Sequence, residues 1–217
     1  MANRRIYIPG VSLHVIRRGI NRAAIVRDDR DHRVLLDVVE HAATECGVSV
    51  HAYVIMTNHY HLLATPLDAR ALPSMMKTIG LLYTRYFNRK YDRIGTLWNG
   101  RYTGIHVEDE IYWLTCLRYS EQNPVRANMV STPDQYRWSS YAIHATGEQS
   151  EWLVMHDAYL ALGATPEWRQ TAYRSICGVP LSDDELVRQR YPVRNPKKRS
   201  DRLSEPSLHS DVAASPI

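Results

Sequence analysis

Apolar residues recur at two spacings along the chain, and each spacing predicts one type of secondary structure. Short runs in which apolar and polar residues alternate predict β-strands, and apolar residues three and four positions apart predict amphipathic helices. In chain order, the pattern predicts a strand at 13–17, a helix at 28–46, strands at 48–55 and 59–65, a helix at 72–91, a strand at 102–107 and a helix at 108–122.

This order of elements predicts an α+β fold with a ferredoxin-like split βαβ antiparallel sheet and helices on one face. Residues 131–187 have the apolar pattern of a C-terminal helical appendage. From residue 188 onward, proline, serine and charged residues replace the periodic apolar ones, as is typical of disorder. We therefore expect a domain over 1–130, a helical extension over 131–187 and a disordered basic tail over 188–217.

Composition narrows the class of protein. The 217 residues are 44% hydrophobic and 23% charged, which is ordinary for a soluble globular protein. No apolar run approaches the ~18 residues that span a bilayer, and the N-terminal residues lack the apolar region of a secretory signal. Cys46, Cys116 and Cys177 are widely spaced, which argues against a disulfide framework or a zinc knuckle. We expect a cytoplasmic protein that does not bind membranes.

The net charge of +4 is unevenly distributed. Residues 77–102 carry six basic side chains against Asp92 alone, interleaved with aromatic residues. Cations neutralise phosphates and aromatic rings stack on unpaired bases, so this stretch favours a nucleic acid that is not fully duplexed. The alternative is that the aromatic residues form core and the cations a solvated face. The candidate DNA contacts are Arg17, Arg18, Arg22, Arg89, Trp98, Arg101 and Tyr102.

Two histidines lie at the start of the third predicted strand. Side chains at i and i+2 of a strand share one face, so His59 and His61 should lie side by side while Tyr60 and Leu62 face the opposite way. Such a pair can hold one side of a divalent metal ion or polarise a phosphate. The structural alternative, two polar residues on the solvated face of an edge strand, is about equally favoured by this pattern alone.

The last predicted helix contains a second polar pair. Tyr119 and Asn123 stand four residues apart and therefore share one helix face. Pro124 should end the helix, because the residue before a proline is disfavoured in the α conformation. A structural hydrogen-bonding pair near a helix end is the favoured interpretation of these two residues when they are taken alone.

Taken together, a histidine pair on a strand and a tyrosine on a following helix resemble the HUH single-strand nucleases. Within that group the chain resembles the REP-associated tyrosine transposases, which are related to single-tyrosine insertion-sequence transposases. The resemblance covers roughly residues 5–142. It rests on His14 and on segments that include RRG at 17–19, HAYVIMTNHYHLL at 51–63, GTLWNGRY at 95–102 and NPVRA at 123–127.

The resemblance implies a metal-dependent single-strand DNA endonuclease and strand transferase. It implies action on short hairpin repeats, the repetitive extragenic palindromes, through a 5′-phosphotyrosyl intermediate. Tyr119 maps to the nucleophile, and His59 and His61 map to ligands of Mg²⁺ or Mn²⁺. Asn123 maps to a third ligand, where relatives often carry glutamine. The protein would be a monomer or a homodimer. Two alternatives are a domesticated hairpin-binding regulator that does not cleave, and an RNA-processing metallonuclease that needs no covalent tyrosine.

Overall fold

The computed structural model of the chain describes residues 7–107 and 109–190. All seven elements predicted up to residue 122 are present, with ends within two residues of the predicted ones. The predicted disordered tail lies outside the described residues, except that the last helix extends to Arg190. The elements are β1 (Ser12–Arg18), α1 (Asp29–Cys46), β2 (Val48–Ile55), β3 (His59–Pro66), α2 (Ala71–Lys90), β4 (Thr103–Val107) and α3 (Glu110–Glu121).

The four strands form one antiparallel sheet in the order β2-β3-β1-β4. The hairpin from β2 inserts β3 between β2 and β1, which confirms the ferredoxin-like split βαβ arrangement. Since β3 is an interior strand, the interpretation of its histidines as residues of an edge strand is wrong. The register pairs Arg18 with His59 and Ile16 with His61.

The first two helices cover one face of the sheet, as predicted. They pack over a core that includes Leu13, Val15, Tyr60 and Leu62. Helix α1 begins where the Asp28 carboxylate accepts a hydrogen bond from the backbone of the first turn and ends at a glycine in the left-handed conformation, two local signals that set its bounds. This face of β3 therefore carries core residues alone.

The third helix covers the opposite face. Trp113 and Leu117 of α3 pack against Ala52 of β2 and Leu63 of β3 in a second apolar cluster. Because side chains alternate along a strand, the residues of β3 that face α3 are His59, His61 and Leu63. The histidine pair therefore lies beneath a helix.

The C-terminal appendage is helical, as predicted, and packs against α3. The short α4 (Asn123–Arg126) precedes it, and its helices are α5 (Tyr141–Thr146), α6 (Asp157–Leu160), α7 (Pro166–Cys177) and α8 (Asp183–Arg190). The division of the chain at residue 130 stays a prediction. Across residues 7–107 and 109–190, no helix combines the length and apolar character that a membrane span requires.

A buried carboxylate joins the appendage to α3. Glu121 is fully buried, and its Oε1 accepts hydrogen bonds from Ser140 Oγ at 2.5 Å and His144 Nδ1 at 2.9 Å. Its Oε2 accepts one from the Tyr173 hydroxyl at 2.5 Å. Burial of a carboxylate is costly unless its oxygens are paired. These three donors therefore hold the end of α3 to the appendage.

Candidate active site

The two histidines predicted as a pair lie side by side on the face of the sheet that α3 covers. Their ring centroids are 5.0 Å apart and the planes are nearly perpendicular. Tyr60 and Leu62 face the α1 and α2 core, as the strand alternation predicts. His61 is buried with 3% of its surface exposed, whereas His59 is half-buried.

The end of α3 and the start of α4 bring the second predicted pair to the same place. The Tyr119 ring lies edge-on to His61, with centroids 6.1 Å apart. The Asn123 Nδ2 lies 3.4 Å from His61 Nε2. Helix α3 ends at Glu121, close to the end predicted from Pro124, and Pro124 itself lies in the first turn of the short helix α4. Four residues from two distant segments thus converge.

Burial keeps both imidazoles in their neutral form. It lowers the pKa of His59 to about 4, and the nearby charge of Arg18 acts in the same direction. Burial lowers the pKa of His61 well below its usual value of 6.5, assisted by the neighbouring His14 and His59. A neutral imidazole retains the lone pair with which histidine binds metal ions. Both rings are therefore in the protonation state of a ligand at neutral pH.

The donor atoms fit a divalent cation that keeps part of its hydration shell. His59 Nδ1 lies 2.6 Å from Asn58 Oδ1, an acceptor, so Nδ1 carries the proton and Nε2 has the lone pair. Rotation of the Asn123 amide exchanges its nitrogen for its oxygen. Two imidazoles and one amide oxygen leave positions for water and phosphate, as Mg²⁺ and Mn²⁺ require. Within the described residues, no group of three or more His, Cys, Asp or Glu side chains is arranged to hold a metal.

Most of the cations predicted to contact DNA are accessible. Arg18 and Arg22 are exposed beside the histidine end of β3, where Asn58 Nδ2 donates to the Arg22 carbonyl at 3.2 Å. Arg89 and Arg101 are also exposed. The exposed cations therefore include two that border the histidine pair.

Of the predicted DNA contacts, Trp98 belongs to the core and Arg17 is half-buried against it. Trp98 is 4% exposed and packs perpendicular to Tyr60, so the prediction that it stacks on a base is wrong for this structure. The Arg17 guanidinium lies 4.4 Å from the centre of the Trp98 ring and donates to the Met76 carbonyl of α2. Arg17 alternates with Leu13 and Val15 on β1 and therefore points away from the histidines.

The ring of Tyr102 is only half-accessible. It is half-buried and stacks on the Tyr7 ring, with centroids 6.2 Å apart. Its availability to a base is therefore limited to the surface that Tyr7 leaves exposed.

Sequence reasoning left two residues out of the site. His14 of β1 is fully buried and its Nε2 lies 2.8 Å from His61 Nδ1. Arg126 of α4 is exposed, and its guanidinium carbon lies 4.5 Å from the centre of the Tyr119 ring. Arg126 follows Tyr119 by seven positions, a helical spacing that could have indicated it, whereas His14 becomes apparent only once β1 is paired with β3.

Comparisons with known proteins bear on the family and the fold of the chain. The family described as IS200-like transposases matches residues 8–123. The fold is similar to that of a REP-associated tyrosine transposase solved with a REP hairpin, with a TM-score of 0.55 and 15% identity over 72% of this chain and 92% of that one. A tRNA(His) guanylyltransferase from Saccharomyces cerevisiae shows a weaker similarity, with a TM-score of 0.42 and 10% identity over 84% of each chain. No curated protein matches the chain in sequence.

The different burial of the two histidines predicts different effects on stability. His61→Ala removes a buried ring that hydrogen-bonds to His14 and should lower the free energy of unfolding by about 1–3 kcal/mol. For a chain of this size, that is a loss of roughly 2–4 °C in Tm per kcal/mol. His59→Ala should cost clearly less, because its ring is partly solvated. Thermal unfolding of both variants is the measurement, and equal losses would contradict the assigned burial.

Proposed function

The chain belongs to the family of IS200-like transposases, and we propose that it is a metal-dependent single-strand DNA endonuclease and strand transferase of the REP-associated type. The observation that carries the proposal is the approach of Tyr119 to the histidine pair. A phenol on a helix end and two neutral imidazoles on an interior strand meet between the sheet and α3, where His61 is buried and Tyr119 and His59 are half-buried. This arrangement provides a nucleophile beside a phosphate-activating centre.

The histidines and the amide would supply the cation site. His59 and His61 would ligate through Nε2, and Asn123 through Oδ1 after rotation of its amide. A bound Mg²⁺ or Mn²⁺ would polarise the scissile phosphate and stabilise the charge that develops on the leaving oxygen. The family match says nothing about a metal ion. The proposal of a metal is supported by the chemistry of these three donor groups.

Tyr119 would carry out the covalent step. Its phenolic oxygen attacks the scissile phosphorus, and the phenolic proton passes to solvent. The bond from phosphorus to the 3′ oxygen breaks, and that oxygen takes up a proton to become a free 3′-OH. The product is a 5′-phosphotyrosyl ester. Because one phosphodiester replaces another, attack by a 3′-OH on this ester reverses the step and joins strands without an external energy source.

Arg126 is placed to bind the phosphate that Tyr119 attacks. Its exposed guanidinium lies 4.5 Å from the centre of the tyrosine ring. Guanidinium groups form short, charge-assisted hydrogen bonds with phosphate oxygens. A fixed cation at this position favours the extra negative charge of the transition state.

Replacement of the nucleophile tests the covalent step. Tyr119→Phe removes one oxygen and little surface, so cleavage of a labelled hairpin oligonucleotide should fall to background while its binding stays nearly unchanged. The measurements are gel-resolved cleavage and fluorescence anisotropy on the same substrate. Tyr112→Phe on the same helix is the matched control and should cleave like the parent protein. Undiminished cleavage by Tyr119→Phe would end the assignment of this tyrosine.

Removal of divalent cations tests the metal role. Cleavage by the parent protein should vanish in EDTA and return when excess Mg²⁺ or Mn²⁺ is added, because two neutral imidazoles and an amide carry no charge of their own to activate a phosphate. Hairpin affinity in EDTA should fall little. Full cleavage in chelator would contradict the metal role, and hairpin binding without cleavage under every metal condition would favour the non-cleaving regulator.

The exposed cations beside the histidines support a hairpin with a single-stranded flank as substrate. Arg18 is paired with His59 in the sheet, and the Asn99 backbone N–H donates to the Arg18 carbonyl at 2.8 Å. The loop at 95–101 and the end of β1 therefore form one surface with the histidine end of β3. A fold-related protein was solved with a REP hairpin, which supports this use of the surface.

Binding affinities for different DNA substrates, and their dependence on salt, test the proposed substrate. Affinity should be higher for a hairpin with a single-stranded flank than for a perfect duplex and should weaken as salt rises. Arg18→Ala should lower the slope of log Kd against log salt by about one charge. Arg70→Ala is the matched control, because Arg70 is exposed just beyond the Pro66 end of β3, roughly 20 Å along the strand from the end that carries His59. Equal affinity for hairpin and duplex would contradict the proposal.

A further inference from the structure

His14 is a buried histidine that touches the candidate site but has no role in it so far. It is fully buried on β1, on the face of the sheet that carries His61. Its Nε2 lies 2.8 Å from His61 Nδ1, and Ser120 Oγ lies 3.4 Å from the same nitrogen. The His14 ring also stands edge-on to Tyr119, with centroids 6.3 Å apart. One buried ring thus contacts a candidate ligand and the candidate nucleophile.

The hydrogen bonds around His61 determine which of its nitrogens carries the proton. The Asn123 Nδ2 is a donor only, and it lies 3.4 Å from His61 Nε2. In this orientation of the amide, Nε2 is the acceptor and the proton of the neutral ring sits on Nδ1. When the amide turns its Oδ1 toward the cation, His14 Nε2, at 2.8 Å from Nδ1, is the partner that selects this tautomer. That Nδ1–H donates to the lone pair of His14 Nε2, and the Ser120 hydroxyl lies farther away, at 3.4 Å from the same nitrogen. The same chain of bonds places the His14 proton on its Nδ1.

This tautomer is the one that a ligand needs. A metal-binding histidine uses the lone pair of one nitrogen and donates the other N–H to a protein acceptor, which fixes both the tautomer and the orientation of the ring. His61 has its lone pair on Nε2, toward Asn123, and its N–H on Nδ1, toward His14. Carboxylates and carbonyls are the common acceptors in this position, and here an imidazole occupies it.

We propose that His14 is a positioning residue that holds His61 as the Nδ1–H tautomer, with Nε2 directed toward the cation, and that places the Tyr119 ring beside it. This inference rests on the proposed function, since it assigns His61 a ligand's role. His14 itself touches neither the cation nor the DNA. Its effect on the site passes through its contacts with His61 and Tyr119.

Two polar substitutions of His14 distinguish the loss of its hydrogen-bond acceptor from a change in packing. In His14→Gln, the longer side chain can place an amide oxygen where Nε2 lies, so the bond to His61 is retained. In His14→Asn, the amide falls short of His61 and the acceptor is lost. His51→Asn is the matched control, because His51 is equally part of the buried sheet surface, at 5% exposure, but bonds to Thr65 and Val154 outside the site.

The first measurement is the tautomer of His61 in the free protein, read from long-range ¹H–¹⁵N correlation spectra. The parent protein, His14→Gln and His51→Asn should all show His61 with its proton on Nδ1. In His14→Asn, the Nδ1–H loses its acceptor while the Asn123 amide can rotate its oxygen toward Nε2, so the population with the proton on Nε2 should rise. An unchanged tautomer in folded His14→Asn would overturn the proposal.

The second measurement is the affinity for Mn²⁺ alone, by calorimetry or electron paramagnetic resonance. His14→Asn should bind Mn²⁺ about 10–100-fold more weakly than the parent, as is usual when the partner of a ligating histidine is lost. His14→Gln should recover most of the affinity, and His51→Asn should retain it. Unchanged affinity in His14→Asn, or a loss that His14→Gln shares, would overturn the proposal by reducing His14 to a packing residue.

The two measurements also separate this inference from the proposed function. If the parent protein binds no Mn²⁺, the metal role of His61 fails. The tautomer of His61 still reports whether His14 controls the ring, because that spectrum needs neither metal nor DNA.

Discussion

The alternation of side chains along β3 is the constraint on which the rest of the structure depends. Tyr60 and Leu62 enter the core under α1 and α2, so His59 and His61 must face the other way. β3 is an interior strand, and α3 packs against that other face of the sheet, so the face is covered by a helix and not by water. The neutral imidazoles, their approach to Tyr119 and the contact with His14 all follow from this one division of the strand.

The position of α3 is the second requirement, and it depends on the appendage. Tyr119 and Asn123 face the histidines, whereas Glu121 between them is buried and bonded to Ser140, His144 and Tyr173. Arg118 adds a 2.5 Å ion pair to Glu185 of α8. A buried polar network that is fully paired makes a rigid and specific contact. The family match ends at residue 123, so the appendage residues that bond to Glu121 and Arg118 lie beyond it.

Most of the fold could be predicted from the sequence, because period-2 and helical spacings are local signals. The position of β3 between β1 and β2 followed from the order of elements. The site was harder to predict, since burial depends on long-range pairing. Trp98 is an aromatic residue of the kind that stacks on bases, but its ring fills the core. Arg17 lies two residues after Val15 on β1 and therefore faces α2 with it. His14 could not be assigned before its strand was paired with β3.

The central claim is that Tyr119 attacks DNA beside the histidine pair. The most direct measurement is to incubate the protein with Mg²⁺ and a hairpin oligonucleotide, digest the protein, and map any covalent nucleotide by peptide mass spectrometry. The expected result is a DNA fragment joined through its 5′ phosphate to the peptide that contains Tyr119. Cleavage without a covalent peptide, as an RNA-processing or water-activating metallonuclease would give, or an adduct on another residue, would contradict it.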